Sequence, residues 1–254
     1  MQFLIMSLRI SNIFIIIILL FSCNEKDSAN FSGGASGING STSAFTIVKD
    51  YLYVLDGQDL QVWSLSSPAQ PTLVTVLQTV SSAPETLFGA DSLLLVGTRN
   101  GILFYSLSNP AQPTWLSTYA HIVSCDPVVA QGNYAYATLR TGSPCQRGVN
   151  LFEVIDFSNI YFPTSVKTLN MNSPKGLAVS GNYAYICENQ GVQVVDVSNP
   201  AISMDKLNLF GTFLANDIIF INNKLIITAN DGIYQYDISN NSSPIMLSRL
   251  LYSL

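Results

Sequence analysis

Charged side chains are scarce in this chain: they make up 11% of its 254 residues, whereas apolar residues make up 48%. A disordered chain shows the opposite balance, so the composition indicates a folded domain. The formal net charge is −5, and a surface of that sign does not attract a phosphate backbone. The composition therefore argues against nucleic acid as a partner.

Histidine and cysteine are also rare, with one His and four Cys. So few ligands do not make a usual zinc site once cysteines are paired or modified. The sequence has no G-x-S-x-G motif, no glycine-rich phosphate loop and no Ser/His/Asp signature. It therefore predicts no metal, no cofactor and no enzyme.

The N-terminus has a composition of its own. Arg9 precedes an apolar run, Ile10–Phe21, which is too short for a comfortable membrane span. The pattern predicts a signal peptide over residues 1–22. Its end, LFSC, resembles the lipobox of bacterial lipoproteins, in which the cysteine becomes the lipidated N-terminal residue. The alternative is an ordinary cleaved signal followed by an incidental cysteine.

The lipobox resemblance implies a lipid anchor at Cys23 and a place in the bacterial cell envelope, as an outer-membrane lipoprotein on its periplasmic or surface side. Several acyl chains anchor a protein stably without a spanning helix. Residues 23–44 are rich in Gly, Ser and Asn and poor in large apolar groups. That composition is typical of a flexible tether.

The rest of the chain, residues 45–254, repeats itself about every 41 residues. Five copies are present; four align without a gap, and the third carries about nine extra residues. Each copy contains four short runs rich in aromatic and β-branched residues, separated by Gly, Asn and Pro turns. Four strands at this period are the signature of a propeller blade. The sequence predicts an all-β, five-bladed β-propeller in a closed ring.

The third strand of several copies carries a recognisable motif. The segments VQVVD (Val192–Asp196), LFEVID (Leu151–Asp156) and IYQYD (Ile233–Asp237) resemble LVIVD repeats. The first two copies end in Ser64 and Ser106 instead of Asp. The resemblance implies a propeller fold and an envelope location, and it implies no defined activity.

The two faces of such a ring differ in sequence. One face collects the loops that join blades and the loops between strands two and three, and these vary from copy to copy, as binding loops do. The insertion Thr141–Gly148 belongs to that face. So do Cys125 and Cys145, which we predict form a disulfide in an oxidising compartment. Cys187 falls in a buried strand position and is predicted to be a packed free thiol.

Polar residues recur where the inner strands begin, at Ser43 and its counterparts in the other copies. These positions should ring the mouth of the central channel, where a polar ligand pocket would form. A wet channel mouth also holds polar residues without any ligand, which is the alternative. The candidate ligand-binding residues are Glu85, His121, Asp126, Arg140, Lys175, Asn216 and Asp217.

Together these features predict a membrane-anchored, non-catalytic binding module for an envelope protein or glycan. Two alternatives stay open. One is a glycoside hydrolase-like enzyme that uses Glu85, Asp126 and Asp217 as its carboxylates. The other is a structural surface protein without a specific ligand.

Overall fold

Twenty β-strands form five four-stranded antiparallel sheets, each built from four consecutive strands. The computed structural model describes residues 40–81, 83–120, 127–141 and 149–253. Within these ranges no helix is long and apolar enough to cross a membrane. The sheets are the blades of a five-bladed β-propeller, which confirms the predicted fold.

The blades follow one another in chain order. Blade 1 contains β1 (Phe45–Val48), β2 (Tyr51–Asp56), β3 (Asp59–Ser64) and β4 (Thr72–Gln78), and blade 2 contains β5 (Pro84–Ala90), β6 (Leu93–Thr98), β7 (Gly101–Ser106) and β8 (Thr114–Ala120). Blade 3 contains β9 (Val128–Gln131), β10 (Tyr134–Leu139), β11 (Leu151–Asp156) and β12 (Thr164–Asn170). Blade 4 contains β13 (Leu177–Ser180), β14 (Tyr183–Glu188), β15 (Gly191–Asn199) and β16 (Ser203–Phe210), and blade 5 contains β17 (Ala215–Ile221), β18 (Lys224–Ala229), β19 (Gly232–Asp237) and β20 (Ile245–Leu251).

The LVIVD aspartate caps the turn that follows the third strand of a blade. Asp156, Asp196 and Asp237 each accept a hydrogen bond from the backbone N–H two residues later, at 2.7, 2.8 and 2.7 Å. Ser64 and Ser106 accept the same bond through their hydroxyls. A short polar side chain bonding the backbone two residues on is a common turn device. The motif is therefore structural, and serine replaces aspartate without loss of the bond.

Blades pack through both of their faces, which explains the apolar strands. In the central strand β6 every residue is buried. One buried cluster joins blades 2, 3 and 4, a second joins blades 4 and 5, and a third joins blades 1 and 2. Burial of such faces is the main stabilising term of a propeller, at about 25 cal/mol per Å² of apolar surface.

The junction of blade 5 with blade 1 is packed differently. Phe45 opens the inner strand of blade 1 and is 53% exposed, whereas its counterparts in the other four blades are at most 1% exposed. Those counterparts are Leu87, Val128, Leu177 and Ile218. In blade 5, Ile226 is partly exposed, although the equivalent Tyr53 and Tyr185 are fully buried. We call this junction the seam.

The five blades that the sequence predicts are present, and the seam differs from the other junctions in its packing. Among the described residues, the apolar clusters span the four junctions from blade 1 to blade 5, and none of them joins blade 5 to blade 1. The physical reason is that the repeat defines identical faces on every blade but does not define how the first and last blades meet. A polar segment before β1 bridges them instead.

Candidate functional site

A pocket of about 480 Å³ opens at the mouth of the channel. This volume lies in the range of small-molecule sites. Residues from blades 2, 3, 4 and 5 and from the segment before β1 line it together. They are Thr42, Glu85, Thr86, Pro127, Arg140, Pro174, Lys175, Asn216, Asp217 and Thr228.

Five of the seven candidate ligand-binding residues lie in this pocket: Glu85, Arg140, Lys175, Asn216 and Asp217. The other two, His121 and Asp126, lie outside the described residues. So do Cys23, Cys125 and Cys145, and the lipid anchor and the disulfide stay predictions.

Strand direction explains why these residues meet. Lys175 precedes β13 and Asp217 lies near the start of β17, at the ends where inner strands enter the ring. Arg140 follows β10 and Thr228 lies near the end of β18, in second strands that run the opposite way. Antiparallel neighbours bring the start of one strand beside the end of the next. The pocket thus lies on the face that collects the variable loops.

A short N-terminal segment, Gly40–Ser43, crosses the channel mouth, and we call it the strap. The Ser41 hydroxyl donates to Asp217 Oδ1 at 3.0 Å and accepts from the Leu177 N–H at 2.8 Å. At its far end, the Ser43 carbonyl accepts from the Leu87 N–H at 2.7 Å. The strap therefore ties blades 4 and 5 to blades 1 and 2 across the seam.

Asp217 is the residue that holds the strap. Its Oδ2 accepts from the Thr42 hydroxyl at 2.6 Å and from the Thr42 N–H at 3.4 Å. Its Oδ1 accepts from the Ile218 N–H at 2.9 Å as well as from Ser41. Together these four donors occupy both oxygens of one side chain. Asp217 lines the pocket, but its oxygens are engaged by the protein itself.

Gly176 makes room for that carboxylate. A Cβ at this position would lie 2.6 Å from the Cα of Asp217 and 2.9 Å from the Asn216 carbonyl oxygen. The Gly176 N–H donates to that same carbonyl at 2.9 Å, so the two inner strands approach closely here. Only glycine allows backbones to come this near.

On the opposite wall, Glu85 is paired with Arg99. The guanidinium Nε of Arg99 lies 2.8 Å from Glu85 Oε1, in a partly exposed ion pair. The charge of Glu85 is thereby offset within blade 2. This carboxylate, like that of Asp217, already has a partner in the protein.

Lys175 is held from several sides. Its N–H donates to the Cys187 carbonyl at 2.8 Å, and its own carbonyl accepts from the Thr138 hydroxyl at 2.5 Å. Its ammonium Nζ donates to Asn216 Oδ1 at 2.9 Å. Burial, followed by the nearby positive charge of Arg140, lowers the pKa of the Lys175 ammonium below its ordinary value.

Cys187 lies beneath the pocket, fully buried and free, as the sequence predicts. Burial, with the negative charge of Asp217 as a second cause, raises the pKa of its thiol well above the usual value. The thiolate is the reactive form of cysteine, so this side chain packs rather than reacts. Among the described residues, no three His, Cys, Asp or Glu side chains cluster as a metal site requires.

Sequence reasoning missed several residues of this site. Thr42 and Ser41 were assigned to the tether because the segment is rich in small polar residues. Thr86 follows the predicted site residue Glu85, and Thr228 pairs with the predicted site residue Asp217. Threonine is common in β-strands, so neither residue stood out in the sequence. The signal that points to the strap is a run of hydroxyl side chains, Ser41-Thr42-Ser43, which is separated from β1 by one residue.

Fold and site together define a five-bladed β-propeller with a polar pocket at one mouth of its channel. The family model that matches the chain is the LVIVD repeat, at residues 39–79, 173–209 and 229–251. The chain thus carries LVIVD repeats within a five-bladed β-propeller fold. Comparison with the curated proteins gives no match.

Solved structures share the fold at low sequence identity. A functionally unknown protein from Desulfotomaculum acetoxidans has a TM-score of 0.68 at 12% identity, covering 87% of this chain and 72% of its own. A periplasmic gluconolactonase from Pseudomonas aeruginosa has a TM-score of 0.61 at 11% identity, and the match covers 80% of this chain and 67% of that protein. A hypothetical selenium-binding protein from Sulfolobus tokodaii has a TM-score of 0.59 at 11% identity, and the match covers 80% of this chain and 59% of that protein. These likenesses show the fold alone.

Proposed function

We propose that this protein is a non-catalytic binding module of the bacterial envelope, anchored through Cys23, whose ligand enters the pocket at the channel mouth. The observation that carries the proposal is the convergence of polar side chains from four blades and the strap on one pocket of about 480 Å³. A concave site with a few convergent polar groups is the usual form of a ligand site. The partner class is an envelope protein or a glycan.

The carboxylates favour binding over glycoside hydrolysis. A glycosidase needs one carboxyl that carries a proton to the leaving group and a second that attacks or activates water. Asp217 accepts four hydrogen bonds, and Glu85 is ion-paired with Arg99. Both carboxyl groups thus already have partners within the protein, an arrangement that does not suit a group that must reach the atoms of a sugar.

The strap also supports an anchored module. Its first described residue, Gly40, lies against Asp217 at the pocket mouth. The described part of the chain therefore begins on the face that carries the pocket. An anchor at Cys23 would attach to the propeller through this end of the chain.

The test is capture by the full-length protein. Lys175→Glu reverses one charge in the pocket, and Lys206→Glu makes the same change on the exposed outer strand β16. We expect the wild type and the Lys206 variant to retain the same envelope protein or glycan on an array, and the Lys175 variant to lose it. Equal capture by all three would contradict a pocket ligand and favour a structural surface protein.

A second measurement addresses the enzyme alternative. We expect no turnover of a panel of plant and host glycans by the wild-type protein. Turnover that Glu85→Gln abolishes, while Lys206→Glu leaves it intact, would overturn the non-catalytic proposal.

A further inference from the structure

The charges of the pocket are not evenly matched. Glu85 is paired with Arg99, and the Asp217 carboxylate is occupied by the strap and by the Ile218 N–H. The ammonium of Lys175 forms no ion pair with any residue that the structure describes; its hydrogen-bond acceptor is the neutral amide oxygen of Asn216.

A half-buried ammonium without a carboxylate partner is unfavourable, because burial removes water from the charge. The positive charge of Arg140 acts on the same ammonium and adds to the cost. The surrounding bonds nevertheless fix the Lys175 backbone at the pocket wall. A negatively charged ligand group that enters the pocket would therefore stabilise the Lys175 ammonium.

The rest of the lining indicates what else that ligand carries. Thr42, Thr86 and Thr228 place hydroxyl-bearing side chains around the pocket, and Pro127 and Pro174 add small apolar surfaces. The Thr42 hydroxyl donates to the Asp217 carboxylate and the Thr228 hydroxyl donates to the Asp217 carbonyl, so these two oxygens can serve a ligand as acceptors. Hydroxyls both donate and accept, as the hydroxyl groups of a sugar do. The volume of about 480 Å³ accommodates one sugar-sized molecule.

We propose that the pocket binds a small hydroxylated carboxylate of the sugar-acid class, with its carboxylate at the Lys175 ammonium and its hydroxyls toward the threonines. This inference rests on the proposed function, since it requires the pocket to be a ligand site, and it adds the charge and the chemical class of the ligand.

Calorimetric titration with D-glucuronate and D-glucose tests the inference, because the two sugars differ at one carbon by a carboxylate. We expect D-glucuronate to bind the wild-type protein at least tenfold more tightly than D-glucose. We expect Lys175→Gln to remove that preference and Lys206→Gln to preserve it. The preference should also fall as salt is raised, because a charge pair at a partly exposed site is screened.

Folding of the variants is checked independently by thermal denaturation without ligand. Lys175→Gln removes an uncompensated charge and keeps an amide for Asn216, so we expect its midpoint to equal or exceed that of the wild type. D-glucuronate should raise the midpoint of the wild type and of Lys206→Gln, and leave that of Lys175→Gln unchanged.

Two results would overturn the inference in distinguishable ways. If D-glucose and D-glucuronate bind equally, and both weaken in Thr86→Val, the pocket is a ligand site but the anionic class is wrong. If neither sugar binds and Lys175→Glu leaves envelope capture unchanged, the proposed function itself fails along with the inference.

Discussion

The Ser41 hydroxyl donates a hydrogen bond to the Asp217 carboxylate 3.0 Å away, across 176 positions of the chain. This bond joins the segment before the first blade to the inner strand of the last. Within the described residues it occupies the place of an apolar contact at the seam. A polar strap thus bridges the two ends of the ring.

Replacement of Asp217 by Asn tests the strap. The amide presents N–H donors where Thr42 also donates, so we expect a loss of about 1–3 kcal/mol in the free energy of unfolding. Denaturant unfolding measures the loss, and hydrogen exchange at the Leu177 amide reports the strap directly, because Ser41 accepts from that amide. Asp205→Asn, on the exposed strand β16, is the control. Equal stability of both variants would show that the strap does not hold the ring.

Gly176 is predicted to tolerate no side chain. In Gly176→Ala the new methyl would lie 2.6 Å from the Asp217 Cα, so the inner strands of blades 4 and 5 must separate. We expect a loss of about 1–3 kcal/mol, the range for overpacking. Thermal denaturation measures it. Gly57→Ala is a poor control because of its positive φ, and Ser180→Ala at the other end of β13 serves instead. Unchanged stability of Gly176→Ala would mean that the strands lie farther apart in solution.

Because of the seam, we expect two adjacent isoleucines to contribute unequally to the free energy of unfolding. Ile227 is fully buried against blade 4, and Ile226 points into the seam, where it is partly exposed. We expect Ile227→Ala to cost about 2–5 kcal/mol, and Ile226→Ala less than about 1.5 kcal/mol. Denaturant unfolding of both variants measures the difference. A cost for Ile226→Ala as large as that for Ile227→Ala would show that the seam packs shut in solution.

Asp237 is predicted to titrate below the ordinary range of aspartate. The Ser239 N–H donates to its Oδ1 at 2.7 Å, and this bond, followed by the Ser239 side chain, lowers the pKa of the Asp237 carboxyl. A carboxyl with a depressed pKa stabilises the fold above its unfolded pKa, and that contribution is lost as pH falls through the folded value. An NMR pH titration of the carboxyl carbon measures the shift.

Two substitutions of Asp237 distinguish the contribution of its charge from that of its hydrogen bond to the turn. Asp237→Ser should stay closer to wild-type stability at neutral pH than Asp237→Ala, because Ser64 and Ser106 make the equivalent bond in blades 1 and 2. An ordinary aspartate pKa, or equal losses in the two variants, would contradict the capping role.

The sequence also predicted much of the candidate site. Glu85, Lys175 and Asn216 were found because each aligns with the start of an inner strand, and the ring brings those starts together. Their partners were not predictable. That Arg99 offsets Glu85 and that the strap occupies Asp217 depends on side-chain positions in space, and no periodicity encodes them.

Strand identity, blade order and the two unequal faces follow from the sequence by itself, because a repeat of about 41 residues specifies the same local hydrogen bonds and the same buried faces five times. The tertiary structure alone decided how the ring ends meet. Phe45 and Ile226 belong to strands with the same apolar pattern as their buried counterparts, yet they lie at the seam. Their exposure depends on contacts between the two ends of the chain, and a local pattern carries no information about such contacts.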